Sequence, residues 1–332
     1  MVIEKFIIHV LDKNSDVPVL NDFEGRINQD MEIFFTRAIK KVLRDDSLRK
    51  GIFKDYNDNL IKKCCEQIIY NRESFIDNSK EIASYLFEIM SLAPDIDSCD
   101  LGICLYSTKG ETNVAILKLD YKRLYNHSIN YTDDKFNIQM TPNEVAISEV
   151  VSHKQAAVIG ISGINDEYHL MLLDKEAEKE NLESKFVTDF LSAERVYDDK
   201  YKTKMFKNTV ENWITNALND DIKKAEDLRS ILNYELKEKN NIDIDAFIEN
   251  HIDDKELKES LKDHLEEKDV DKSFEVDKKW IEKKLKKRNI KTDNGFELKG
   301  NLSDFEDPMK YGITNNPDGT INVVLKNVSF FS

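Results

Sequence analysis

Two apolar runs near the middle of the chain, "CDLGICLYS" and "TNVAILKLDY", are separated by little more than the turn pair Lys109-Gly110. Runs this short, rich in branched and aromatic residues and joined this tightly, read as adjacent β-strands. "QAAVIGISG" and "YHLMLLD" repeat the pattern downstream, so the middle of the chain has to form a sheet. The opening "VIEKFIIHVL" reads as a further strand.

Around the sheet the hydrophobic period changes from two to that of a helix. From Arg26 to about Asp45, Ile27, Met31, Phe34, Phe35, Ala38 and Val42 share a helical face. Leu60, Ile61, Cys64 and Ile68 do so over 58–71, and Phe75, Ile82, Leu86, Phe87 and Met90 over 73–92, where Pro94 stops the helix. The spacing of Leu182, Phe186 and Phe190 predicts another helix over 175–192. Beyond it, 203–268 is mostly helical, with stripes at Phe206, Val210, Trp213, Ile214 and Ala217, at Ala225, Leu228, Leu232 and Leu236, and at Leu257, Leu261 and Leu265. "FELKG" and "YGITNNPDGTINVVLKNV" close the chain as β structure, with Asn316-Pro317-Asp318-Gly319 suited to a hairpin turn. The expected fold class is α+β: an N-terminal mixed helix and antiparallel-sheet domain over 1–192, then a helical domain over 193–332 with a basic helix at 277–290 and a C-terminal β-hairpin at 310–328. With only 10 glycines and 5 prolines in 332 residues, long disordered linkers and glycine-rich phosphate loops are not expected.

The apolar run of "MVIEKFIIHVL" is too short for a signal sequence, and no window is apolar enough for a membrane span. Cys64, Cys65, Cys99 and Cys104 form no CxxC pair, which points to a reduced, cytoplasmic protein without structural zinc. No metal or other cofactor is expected. The histidines (His9, His127, His153, His169, His251 and His264) never stand three or four apart, so the paired imidazoles of a zinc-hydrolase helix are missing. No GxSxG elbow occurs; Cys64 lies on a helix's apolar stripe, Cys99 and Cys104 flank a strand, and core packing as a small hydrophobe is the expected role of Cys64 and Cys104.

One enzymatic arrangement is spelled out by the sequence. Pro94-Asp95 precedes Asp120-Tyr121-Lys122 by a helix end and a strand pair, resembling the PD-(D/E)xK nucleases. There two carboxylates hold Mg²⁺ and a lysine orients the attacking water. Short acidic-x-Lys triplets are common in a chain that is 34% charged, and an aspartate before a strand is an ordinary turn residue. Lys118, Tyr121, Lys122, Arg123, Tyr125 and Tyr131 also mix aromatic and basic groups as single-strand binding surfaces do. A half-buried strand gives the same alternation, with Lys118, Asp120 and Lys122 on one side and Leu117, Leu119 and Tyr121 on the other.

The charge distribution carries the stronger signal. The chain has a net charge of −15, yet "DKKWIEKKLKKRNIK", Asp277 to Lys291, sets eight basic residues against two acidic ones. A helix over 277–290 would be about 21 Å long. Ile281 and Leu285 would share one face, with Lys279, Lys283, Lys286 and Lys287 opposite and Lys278 and Lys284 flanking; Arg288 and Lys291 extend the strip. An ordinary solvated helix intersperses acids at i, i+4, which only Glu282 does here. Because salt screens charges over about 8 Å, distant carboxylates do not prevent this strip from meeting phosphates. Docking onto the acidic stretch 253–277 would silence it. Arg195, Lys200, Lys202, Lys204 and Lys207 form a second, smaller cluster, diluted by Asp198 and Asp199.

Several segments, "IEKFIIHVL", "DLGICLYS … VAILKLDY", "HKQAAVIGISG", "YHLMLLDK" and "FVTDFLSAERVYDDKYKTK", occur in an order that resembles the bacterial nucleoid-associated proteins of the NdpA type. "LKLDY" and the passage from Phe186 to Lys204 are the most specific, and the likeness thins over 215–300. The resemblance implies a cytoplasmic, nucleoid-localised protein, DNA-binding or DNA-proximal, without enzymatic activity. It transfers no catalytic residue and assigns no contact to the basic strip. The expected partner is therefore DNA, held through phosphates with low sequence specificity and away from any membrane. Alternatives are an adaptor whose acidic helices, 175–199 and 253–271, dock a basic protein partner such as a DNA-topology or repair enzyme, and the Mg²⁺ nuclease of Asp95, Asp120 and Lys122.

Overall fold

The computed structural model describes residues 1–55, 57–93, 96–132, 135–147, 153–160, 170–175, 184–292, 294–316 and 320–329. The chain divides into two compact units, Met1–Val196 and Tyr197–Ser332.

The first unit contains strands β1 (Val2–Leu11), β2 (Leu48–Phe53), β3 (Cys99–Thr108), β4 (Glu111–Asp120), β5 (Lys122–Thr132), β6 (Lys135–Ala146), β7 (Gln155–Gly160), β8 (Leu170–Asp174) and β9 (Ala193–Arg195). All except β5 and β6 join one sheet of order β1-β3-β4-β7-β8-β2-β9, and every neighbouring pair is antiparallel. The central hairpin pairs Cys99 with Asp120 through to Thr108 with Glu111. Its turn holds Lys109 at φ 52° and Gly110 at φ 85°, the two left-handed residues that a two-residue hairpin turn requires. β5 and β6 form a separate two-stranded ribbon inserted between β4 and β7, which are themselves sheet neighbours.

Helices cover both faces of the sheet. Phe35, Ala38, Ile39 and Val42 of α1 (Gln29–Arg44) pack with Phe6, Cys104, Ala115 and Leu117 on one side. On the other, Ile61 and Cys65 of α2 (Leu60–Tyr70) and Ile82 and Leu86 of α3 (Phe75–Leu92) pack with Ile7, Ile103, Val114 and Ile116. Each such fully buried aliphatic side chain contributes about 1.5–3 kcal/mol, so the layers are held by burial rather than by propensity. This arrangement corrects the half-buried reading of β4. From Val114 to Leu119 every residue is buried, Lys118 included, because a sheet covered on both faces needs apolar residues at odd and even positions alike. The first two helices begin on asparagines: Asn28 and Asn59 accept the backbone N–H of Met31 and Lys62, both at 2.9 Å.

Of the helix expected over 175–192, residues 176–183 lie outside the described residues. Phe186–Phe190 is a single wide turn, closed by the Leu191 N–H donating to the Phe186 carbonyl at 3.0 Å. It buries Phe186 and Phe190, whose ring centroids are 5.2 Å apart, against α3.

The second unit is mainly helical at its start, with α4 (Asp199–Ala217), α5 (Ile222–Glu238), β10 (Asn241–Asp243), α6 (Ile244–His251), α7 (Lys255–Glu267), β11 (Ser273–Glu275) and α8 (Lys278–Lys284). The predicted stripes form its core: Phe206, Val210 and Trp213 meet Leu228, Leu232 and Leu236, with Leu261 and Leu265 alongside. Ile242, Phe247, Phe274, Trp280 and Ile281 complete it. Aspartates open these helices, with Asp198, Asp221, Asp243, Asp254 and Asp277 each accepting a backbone N–H three residues on. The chain ends with β12 (Lys287–Lys291), β13 (Glu297–Asn301), α9 (Leu302–Glu306), β14 (Tyr311–Asn315) and β15 (Ile321–Leu325). β14 and β15 pair from Tyr311 with Leu325 to Asn315 with Ile321; residues 317–319 of the expected turn lie outside the described residues. The fold is α+β, as the sequence leads one to expect. Among the described residues no helix is long and apolar enough to cross a membrane.

Candidate nucleic-acid interface

The basic strip is not one helix. α8 starts where expected, with Asp277 accepting the Trp280 N–H at 2.9 Å, but it ends at Lys284. The chain then turns and Lys287–Lys291 becomes a strand paired with β13, from Lys287 opposite Asn301 to Lys291 opposite Glu297. Lys279, Lys283, Lys286 and Lys287 therefore do not line one helical face. Two local reasons defeat the helix. Arg288 and Ile290 turn inward while Lys287, Asn289 and Lys291 are exposed, the period of a strand. The connection to β13 runs through Gly295 at φ 88°, a conformation for which glycine is suited.

The fold consumes two of the eight cations. Lys278 donates through Nζ to the carbonyls of Leu236 (3.2 Å), Lys237 (2.7 Å) and Lys239 (2.5 Å), capping the C-terminal end of α5. Arg288 forms an ion pair with Glu226 and lies 5.6 Å over the Phe305 ring. Lys279, Lys283, Lys286, Lys287 and Lys291 are exposed and make no ion pair among the described residues; Lys284 is exposed as well. Among the described residues no carboxylate of the acidic stretch before α8 forms an ion pair with Lys279, Lys283, Lys286, Lys287 or Lys291; Asp271 pairs with Lys202 at 2.7 Å and Glu259 with Lys255 at 4.0 Å.

The second cluster is divided between the two units. Arg195 sits on β9, in the first unit. Lys200, Lys202, Lys204 and Lys207 lie on α4. The hydrogen bond to Asp271 raises the pKa of Lys202 and commits it to a local pair. Lys207 joins the first set instead. With Lys284, Lys287 and Arg288 it lines a groove of about 400 Å³. The groove wall is a chain of ion pairs, Lys207–Glu211 (2.9 Å), Glu211–Arg229 (3.1 Å), Arg229–Glu226 (2.8 Å) and Glu226–Arg288. Trp280 Nε1 and Asn233 Oδ1 on that wall are buried and carry no hydrogen bond among the described residues. Sequence reasoning missed Arg229 and also Lys299, which is exposed on β13 opposite Asn289. The Asn294-Gly295 pair, a hairpin signal in the sequence, points to the strand that carries Lys299.

The other expected groups take ordinary structural places. Asp120 forms an ion pair with buried Lys118, and Lys122 is exposed at the start of β5; Asp95 lies outside the described residues. Tyr121 donates its hydroxyl to Asp100 at 2.6 Å, and burial raises the Asp100 carboxyl. Tyr125 and Tyr131 stand on the exposed β5–β6 ribbon, and the side chain of Arg123 lies outside the described residues. All four cysteines are buried, and burial pushes the Cys64 and Cys99 thiols up to about 12. Among the described residues no group of three or more His, Cys, Asp or Glu is placed to hold a metal ion.

A family model described as nucleoid-associated protein YejK matches residues 7–330. The chain belongs to the YejK family. The match extends through 215–300, where the likeness between short segments fades, and so takes in the lysine-bearing α8 and β12. No curated protein matches the chain. YejK-family membership makes this a bacterial nucleoid-associated protein and places it in the cytoplasm at the nucleoid.

Proposed function

We propose that this chain is a non-enzymatic nucleoid protein that holds nucleic acid by its phosphates, with little reading of base sequence. One observation supports this reading above the others. Lys279, Lys283, Lys286, Lys287 and Lys291 follow one another along α8, the turn and the outer side of β12, exposed and without ion-pair partners among the described residues. Lys284, Lys299 and the groove cations Lys207 and Arg288 border them. Ammonium groups are point charges suited to phosphate oxygens, and no recognised major-groove reader accompanies them. Contact with about five phosphates gives affinity that falls steeply with salt.

The test is a titration of full-length protein with duplex DNA at several salt concentrations. The expected log–log slope is about −4 to −5. The fourfold change Lys279→Glu, Lys283→Glu, Lys286→Glu and Lys287→Glu is expected to flatten that slope and weaken binding. A variant that binds like the parent places the contact elsewhere. No binding even at low salt would favour the adaptor reading, in which an acidic surface such as α7 receives a basic protein. Plasmid nicking with Mg²⁺ that disappears in Asp120→Asn would instead revive the nuclease.

A further inference from the structure

The β5–β6 ribbon has two chemically distinct faces. Register fixes the rungs Tyr125–Pro142, His127–Met140, Ile129–Ile138 and Tyr131–Phe136 on one face. Leu124–Asn143, Asn126–Thr141, Ser128–Gln139 and Asn130–Asn137 alternate with them on the other. Apart from His127, the side chains of these four rungs are apolar or aromatic. Leaving out His127 and Pro142, its members are 57–73% exposed. Cross-strand pairing of Tyr131 with Phe136, ring centroids 4.9 Å apart, stiffens the end of the ribbon without covering it. A monomer's largest apolar patch is normally about 300–600 Å². This face offers on the order of 800 Å², about one partner's share of a standard interface.

We propose that this face binds the same face of a second copy of the chain, forming a twofold dimer. Three observations select that occupant. Among the described residues, the four rungs of this face carry no Lys, Arg, Asp or Glu, so they match neither a polyanion nor a strongly charged protein surface. Its extent, six exposed apolar or aromatic side chains over four rungs, is on the order of one partner's share of a standard interface. Its layout is self-complementary: rungs bearing aromatic rings stand at both ends, and Ile129, Ile138, Met140 and the His127 imidazole lie between. A twofold axis between the His127–Met140 and Ile129–Ile138 rungs sets Tyr131 and Phe136 of one copy over Tyr125 and Pro142 of the other. It also sets the isoleucines over Met140 and His127. That is the isologous geometry of a closed dimer, in which each patch meets itself. Two ribbons stacked about 10 Å apart would interdigitate these side chains as in a sheet-on-sheet core.

The experiment is sedimentation equilibrium of the full-length protein without nucleic acid, from low to several hundred micromolar. The expected mass is twice the 38.7 kDa of one chain. Ile129→Lys with Ile138→Lys puts two ammonium groups at the centre of the interface and is expected to weaken association at least about 100-fold. Ser128→Lys with Gln139→Lys, one rung away on the polar face, is expected to leave the dimer intact. Circular dichroism should be alike in both variants, and thermal midpoints alike at concentrations too low for association, since all four positions are exposed. A monomer throughout the range, a dimer that survives the isoleucine changes, or equal loss in both variants would each overturn the proposal.

Discussion

Two buried histidines show how far single residues set the conditions under which this fold holds. His9 Nδ1 accepts the Asn21 N–H at 3.0 Å, so its proton sits on Nε2, 3.1 Å from Ser79 Oγ, which itself donates to the Ile76 carbonyl at 2.7 Å. Burial first, and the nearby Lys80 ammonium second, lower its pKa to about 4. His153 is likewise held near 4, chiefly by burial, with Nδ1 3.4 Å from the Lys118 carbonyl. An unfolded histidine takes up its proton near pH 6.5. Both residues therefore contribute stability that is complete above pH 6.5 and is lost as pH falls through 4. Each accounts for about 3 kcal/mol across that window. Urea midpoints measured from pH 7 to pH 4.5 are expected to fall steadily, and His9→Gln should make the decline shallower. A flat profile would mean that these imidazoles already accept protons in the folded state.

At the scale of elements, the β12–β13 hairpin decides how the lysines are presented. Gly295→Ala places a methyl group on a residue at φ 88°, at a cost of about 1 kcal/mol. The expected result is faster amide exchange over Lys287–Lys291 with exchange in α4 and α5 unchanged. Equal acceleration in all three would show that the hairpin does not open independently. This element also marks where sequence reasoning runs short. The apolar periods of α1, α2, α3, α4 and α5 are visible because each helix buries one continuous stripe. α8 is a short helix with two buried residues, Trp280 and Ile281, and the lysines after it satisfy helical spacing as readily as strand spacing. Pairing with β13, remote in pattern and tied only by a glycine turn, resolves the ambiguity. The ribbon β5–β6 escapes notice for a related reason. Its alternation is plain, but its apolar side faces outward, so a search for core residues passes over it. Of the candidate site, the exposed lysines were legible as charge, whereas the tasks of Lys278 and Arg288 depend on α5 and Glu226, far away in sequence.

For the whole molecule, a net charge of −15 sets the two proposed contacts in opposite relation to salt. Counterion release weakens a lysine–phosphate contact as salt rises. Screening of like-charged copies over about 8 Å favours an apolar dimer under the same change. Measured together between low and physiological salt, DNA affinity is expected to drop steeply while dimer affinity stays level or rises. Parallel loss of both would mean that one surface serves both contacts. The position of the ribbon in the chain has a further meaning. β4 and β7 lie side by side, with Leu117 opposite Ala156, so everything between Asp120 and Gln155 leaves and re-enters the sheet at almost the same point. Loop-closure entropy grows only slowly with length, so such an excursion burdens the scaffold little. Changes confined to the ribbon Lys122–Ala146 leave the pairing of β4 with β7 in place, so the proposed dimer contact can be altered independently of the sheet that carries it.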